Sequence, residues 1–259
     1  MMKLTQIRNA TLLLEYAGTR FLIDPMLADK EAWEGFPGTA RSHLRNPLVA
    51  LPLPVETLLD VDAVIVTHTH RDHWDEAASA LIPKAMQIYT QNERDAALIR
   101  RQGFTRVEPL QVSNLIAGTS VTKTDGQHGS DAAYAIPEMA AFLGDACGLV
   151  FQHPDEKTLY IAGDTIWVDA YARSLAHWQP DVVVLNAGFA QVDNIGAIIM
   201  GKEDVLRTAQ ALPRATIVAS HMEAVNHCLL SRAELREYVN AHGIADRVAI
   251  PADGESCHF

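Results

Sequence analysis

His68, His70, Asp72 and His73 fall within six consecutive positions of the segment VIVTHTHRDHWDEA, residues 64 to 77. Imidazole is a common metal ligand, and carboxylate is the usual oxygen donor beside it. Three imidazoles and a carboxylate this close, directly after β-branched residues that read as a buried strand, point to metal rather than to an incidental polar loop. Further metal-competent residues stand at the ends of other apolar runs: His128 after VTKTDGQ, Asp164 at the end of LYIAGD, and His221 after TIVAS. Singly, each has an ordinary explanation. His128 could be a loop histidine, Asp164 an N-cap for a helix over TIWVDAYARS, and His221 a core histidine. Their joint order favours a site, because side chains at the ends of neighbouring strands converge on one sheet edge.

The elements that must position these residues can be read from the hydrophobic pattern. KLTQIRNATLLLEYAGTRFLIDPML reads as short strands around the Ala17-Gly18 turn, ending at Asp24-Pro25. Residues 27 to 55, rich in Pro, Gly and Arg, form a long irregular excursion of the kind that often carries function. VDAVIVTH is a buried strand and DEAASALIP a helix; QIYTQ and NERDAALIRRQG repeat that unit, with Asn92 as N-cap. From 107 to 163 the chain is strand-rich, including a hairpin around Pro154-Asp155. The last third alternates again: DVVVLNAG, KEDVLRTAQAL, ATIVASH, SRAELREYVNAHG, RVAIP. Without an internal linker, low-complexity tract or short repeat, one domain over residues 1–259, two sheets with helices outside, is the simplest packing.

The bulk numbers restrict the function. A formal net charge of −11 over 259 residues argues against a broad basic surface for nucleic acid or anionic lipid. Three cysteines, Cys147, Cys228 and Cys257, with no CxxC pair, are no disulfide framework and fit a reducing cytosol. Arg8 and Glu15 interrupt the N-terminal region where a signal peptide needs an unbroken apolar core, and no apolar run reaches membrane-spanning length. The expectation is a cytoplasmic protein, in which the sequon Asn9-Ala10-Thr11 carries no weight.

The order HxHxDH, a lone His, the Asp of a GDT and a last lone His resembles the metallo-β-lactamase superfamily, over nearly the whole chain from FLIDP onward. The resemblance implies an α/β fold, a four-layer αββα sandwich, with two metal sites. His68, His70 and His128 would hold the first ion; Asp72, His73 and His221 the second; Asp164 would bridge them. DHWDEAA in place of a small residue or Gly-Gly after the DH, together with FLIDP, MGKEDVLRTAQAL and SHMEAVNHC, looks closer to the branch of L-ascorbate-6-phosphate lactonase and related metal-dependent hydrolases. That branch often has Gly-His before its second strand; here Arg8-Asn9 stands there, so no role of that histidine is carried over.

Two divalent cations, zinc first and manganese or iron as alternatives, would bridge a water and lower its pKa toward about 7, giving a hydroxide nucleophile. Asp72 would hydrogen-bond that hydroxide and shuttle a proton. The expected substrate is a small molecule, a lactone or related ester first, with a small phosphodiester, or a non-hydrolytic redox or sensing role, as alternatives. Asp24 is expected to orient a ligand histidine, and Asn226 and His227 to reach substrate. Arg41 and Arg45, on the long loop, would favour an anionic substrate. Neither nucleic acid nor membrane is an expected partner, and a homo-oligomer is compatible with the sequence.

Overall fold

A computed structural model describes residues 1–259. Two seven-stranded sheets face each other. In the first, Ser256–His258, Lys3–Arg8, Thr11–Tyr16, Thr19–Ile23, Ala63–Val66, Gln87–Thr90 and Arg106–Pro109 lie side by side in that order. In the second the order is Val248–Ala249, Thr216–Ser220, Val182–Asn186, Leu159–Ile161, Cys147–Gln152, Thr119–Asp125 and Ser113–Ile116. One side of each sheet is antiparallel and the other parallel. Tight turns such as Ala17-Gly18 suffice for the antiparallel pairs, while the parallel ones need crossovers, which the helices supply.

The layering follows from which side chains are apolar on each face. In Thr11–Tyr16, Leu12 and Leu14 pack toward the second sheet, with Phe21, Ile65, Leu149 and Phe151, while Leu13 packs with Leu22, Ala78 and Ile99 under the outer helices. Val182 and Val184 face the space between the sheets; Val183 and Leu185 face Leu175, Val205 and Leu235 of the helices on the other outer surface. Both faces of each sheet are therefore covered, which is why the strands read as almost unbroken apolar runs. Phe21 meets Phe151 edge to face at 5.6 Å across the interior, and truncating either to Ala would cost about 3–5 kcal/mol. No helix is long and apolar enough to cross a membrane.

The sequence-based elements are present, with Asn92 and Ser231 capping their helices through side-chain oxygens. Two short helices, Asp131–Tyr134 and Pro137–Leu143, interrupt the stretch expected to be strand-rich. Ser130 caps the first and Pro137 opens the second, starts that favour a helix even where the run is too short to show a period.

The long excursion lies across one edge of the sandwich without regular structure until Val55–Leu59. Arg8, fully buried at the end of its strand, ties the start of this loop to its later part by donating to the carbonyls of Met26, Ala28 and Val49. Asn226 holds its middle. Its Oδ1 accepts from Phe36 N and Asn46 Nδ2, and its Nδ2 donates to Thr39 Oγ1 and Ala40 O.

Candidate metal centre

The residues singled out for metal meet where strands of both sheets end. His68 follows Ala63–Val66 by one residue, Thr67; Asp164 lies shortly after Leu159–Ile161; His221 directly follows Thr216–Ser220. Three non-glycine residues at these ends, Asn9, Asp24 and His221, adopt left-handed φ values of 56°, 48° and 59°. Such backbone is costly outside glycine and clusters at functional sites. Close approach of neighbouring loops depends on glycine: a Cβ on Gly188 would lie 1.9 Å from the carbonyl oxygen of His221, and one on Gly163 2.2 Å from that of Cys147. The helix after Asp164 begins at Asp169 and is preceded by Val168 at its cap, so Asp164 is no N-cap.

Two sets of donors share Asp164. His68 Nε2 and His70 Nδ1 are 3.0 Å apart, and His128 joins them. His73 Nε2 and His221 Nε2 are 3.2 Å apart, with Asp72 Oδ2 3.2 Å from the latter. Asp164 Oδ2 lies 3.1 Å from His73 Nε2, 3.4 Å from His128 Nε2 and 3.7 Å from His68 Nε2, while its Oδ1 is 3.7 Å from His221 Nε2. All of these except His70 are buried.

The outward nitrogens explain why the inward ones converge. His73 Nδ1 is held by Asp24 Oδ2 at 2.8 Å, His128 Nδ1 by the carbonyl of Ile198 at 2.8 Å, and His70 Nε2 by that of Phe142 at 2.7 Å. Each outward nitrogen can carry its ring's proton and donate, leaving a lone pair on the inward one. Lone pairs from several rings facing one another, with a buried carboxylate between them, are a donor set for a divalent cation. The residues fit the metal.

Electrostatics separates the two sets. Burial, with the neighbouring imidazoles, pushes His68 well below the ordinary imidazole value, and burial brings His128 down to about 4 despite Asp164. For His73 burial is outweighed by Asp164, Asp24 and Asp72, which raise it to about 10. His221 is likewise raised, burial being overcome by Asp164, Cys228 and Asp72. Burial also opposes charge on Asp72 and Asp164, but the surrounding imidazoles hold both carboxyls well below the usual range.

Next to the cluster is a narrow cavity of about 20 Å³, lined by His70, Asp72, His128 and Asp164 on one side and by Phe36, Thr39, Phe142, Val192, Ile198 and His227 on the other. Phe36 and Thr39 come from the long loop, which thus forms one wall. His227 packs edge to face on Phe36 at 4.6 Å, and its buried Nδ1 has no hydrogen-bond partner.

The other expected contacts fall in different places. Asp24 lies against His73 and also accepts from Thr67 N and Oγ1. Asn226 does not reach the cavity: with two acceptances and two donations its amide is saturated by the loop. Arg41 and Arg45 are not brought there either. Arg41 donates to the carbonyls of Asn226 and Cys228, and Arg45 to those of Glu31 and Ala32 and to the Glu34 carboxylate. Two residues of the centre went unread in the sequence. Asn186 Nδ2 donates to Asp164 Oδ1 at 2.7 Å, and its signal was available, a polar residue closing the run DVVVLN. Asn9 lies against Asp72 and His221; the sequence marks its position only as the place where a related branch often carries histidine, and gives no role to the Asn.

Comparison with known proteins adds the following. A family model described as a β-lactamase superfamily domain matches residues 19–222. UPF0173 protein YddR of Bacillus subtilis (strain 168) is 46% identical over the full length of both chains. Among solved structures, an isothiocyanate hydrolase from Delia radicum gut bacteria is 65% identical, covers 99% of each chain and superposes with a TM-score of 0.98. A possible metal-dependent hydrolase from Veillonella parvula DSM 2008 is 42% identical over 100% of both chains, also with a TM-score of 0.98.

Proposed function

The chain belongs to the metallo-β-lactamase superfamily and is a metal-dependent hydrolase, and from that premise we propose that it hydrolyses isothiocyanates, R–N=C=S, to an amine and carbonyl sulfide. The observation that carries this reading is the 65% identity, across nearly all of both chains, to the isothiocyanate hydrolase. The cavity supports it. It is narrow, with Phe36, Phe142, Val192 and Ile198 in its wall, and no Lys or Arg lines it. At about 20 Å³ the enclosed space is the size of one water, so the character of its lining, not its volume, favours an uncharged electrophile; a phosphate or carboxylate would lack a counter-charge from the protein.

His68, His70 and His128 would hold one divalent cation and Asp72, His73 and His221 a second, with Asp164 between; zinc is the first choice, manganese or iron the alternatives. When bound, the cations acidify water and polarise the substrate. The reaction consumes one water: its oxygen bonds to the central carbon, the C–N bond breaks, and both protons finish on nitrogen. Asp72 is the residue to carry a proton from water to nitrogen, because its carboxylate stays ionised beside His73 and His221 and borders the cavity. His227, held neutral at pH 7 because burial lowers it to about 4, offers a polar contact to a heteroatom of the substrate. Phe36 and the long loop keep bulk water from that side.

A lactone or related ester would present the same kind of electrophilic carbon, so the test sets the two against each other. Zinc-loaded protein is offered benzyl isothiocyanate, a γ-lactone and a small phosphodiester at equal concentration. Amine release from the isothiocyanate is expected to exceed turnover of the other two. Lactone opening without amine release would overturn the reading.

A further inference from the structure

Asn9 is completely buried at the turn between Lys3–Arg8 and Thr11–Tyr16, with a left-handed φ of 56°. Its backbone carbonyl binds this turn to the opposite sheet, accepting from His221 N at 2.9 Å, Ser220 Oγ at 3.1 Å and Gln6 Nε2 at 2.8 Å. The side chain does something else. Nδ2 lies 3.1 Å from the carbonyl oxygen of Asp72, 3.3 Å from Asp72 Oδ2 and 3.4 Å from His221 Nε2. Reversing the amide would set Oδ1 against two oxygens of Asp72, so the donor must face Asp72.

That orientation leaves Asn9 Oδ1 buried without a partner. An unpaired buried acceptor carries a desolvation penalty. Stability alone would therefore favour glycine, which accepts the left-handed backbone, avoids the penalty and keeps the backbone bonds. What only the amide supplies is an N–H aimed at the carboxylate and the main chain of one residue of the centre.

We propose that Asn9 is a positioning residue of the metal centre, whose side-chain N–H fixes the Asp72 carboxylate in the orientation that the Asp72, His73 and His221 half requires. The proposal rests on the two-cation reading above. Asn9 differs from Asp24 in the sign of its effect. Asp24 accepts a hydrogen bond from a ligand imidazole and strengthens it as a metal donor. Asn9 donates to a ligand carboxylate and restrains both its geometry and its charge.

The test is a titration of metal-free protein with zinc against a chromophoric chelator, together with melting of the metal-free samples, for wild type and Asn9→Gly. Glycine accepts the left-handed backbone, so the substitution removes the amide without imposing strain. One zinc step is expected to weaken by about 10- to 100-fold, the range for losing an outer partner of a metal ligand. The other step should keep its wild-type value and thereby report an intact fold, with the metal-free melting temperature unchanged or higher. Two unchanged steps would overturn the role of Asn9 alone. Equal weakening of both steps with a lower metal-free melting temperature would show the amide to be structural. A single zinc step in wild type would remove the two-cation reading, and this role with it.

Discussion

The two halves of the centre are built from the same materials and prepared differently. His68, His70 and His128 are backed by neutral groups, the Thr67 hydroxyl and the carbonyls of Phe142 and Ile198, and one of them, His70, is partly exposed at the cavity. Asp72, His73 and His221 are all buried, with Asp72 alone of the three bordering the cavity, and are backed by the Asn9 amide, the Asp24 carboxylate and the Cys228 thiol. Burial dominates in the first half and keeps His68 and His128 neutral; carboxylates dominate in the second and hold protons on His73 and His221. The first half is thus a ready set of lone pairs, whereas the second is a charge-balanced cluster in which protons stand where a cation would bind. Asp164 is common to both.

The most damaging change should be the one that ignores the division. Asp164→Ala removes the only carboxylate that reaches imidazoles of both halves. Zinc content and hydrolysis are expected to vanish together, measured by elemental analysis and amine release on one preparation. Retention of one zinc would mean that the His68, His70, His128 half stands alone.

A smaller and one-sided effect is expected from Asp24→Asn. The amide can still accept at Thr67 but loses the charge that strengthens His73. One zinc step should weaken by about tenfold or more while the other is retained. Equal losses in both steps would mean that Asp24 serves the whole centre through Thr67.

The halves should also differ in pH dependence. With His73 at about 10, its ring is protonated at pH 7 in the metal-free protein, so a cation can bind there only by expelling a proton. Affinity of that step should fall about tenfold per pH unit per proton released as pH decreases below 10. His128, at about 4, has no proton to lose at pH 7, and that part of the other step should be flat down to about pH 5. Calorimetry in buffers of different ionisation enthalpy reads this directly: the step that engages His73 is expected to release more protons near neutrality than the other. For the fold without metal the raised His73 value works oppositely. Its contribution to stability is complete below the ordinary imidazole pKa of 6.5 and is lost as pH climbs through about 10.

What could be read from the sequence, and what could not, divides along similar lines. His68, His70, Asp72 and His73 announced themselves as a cluster after an apolar run, whereas His128, Asp164 and His221, each ordinary when taken singly, were marked by their joint order at the ends of apolar runs and by the family resemblance that order carries. Residues whose significance is a contact did not announce themselves. Asn9 is separated from Asp72 by 63 positions and from His221 by 212, and an Asn in a turn is ordinary by itself. Arg41 and Asn226 had the right chemistry for substrate, but the loop consumes them. The helices Asp131–Tyr134 and Pro137–Leu143 have four and seven residues, too few for a hydrophobic period to show.

The smallest effect should come from Cys228→Ala, which tests whether the backing group matters through charge or merely through presence. Cys228 Sγ lies 3.4 Å from His221 Nδ1, in the place that Asp24 takes for His73. A thiol is a weak hydrogen-bond partner and a carboxylate a strong, charge-assisted one. Ala fits the space of this buried side chain, and the main chain there stays pinned, since Cys228 O accepts from Arg41. Both zinc steps are therefore expected to remain within about threefold of wild type, the difference being that between a weak partner and none. A loss as large as that of Asp24→Asn would break the comparison, because it would mean that Cys228 holds His221 as firmly as a carboxylate does. Cys228, which already contributes with Asp164 and Asp72 to raising His221, would then matter to that imidazole as much as the carboxylates do.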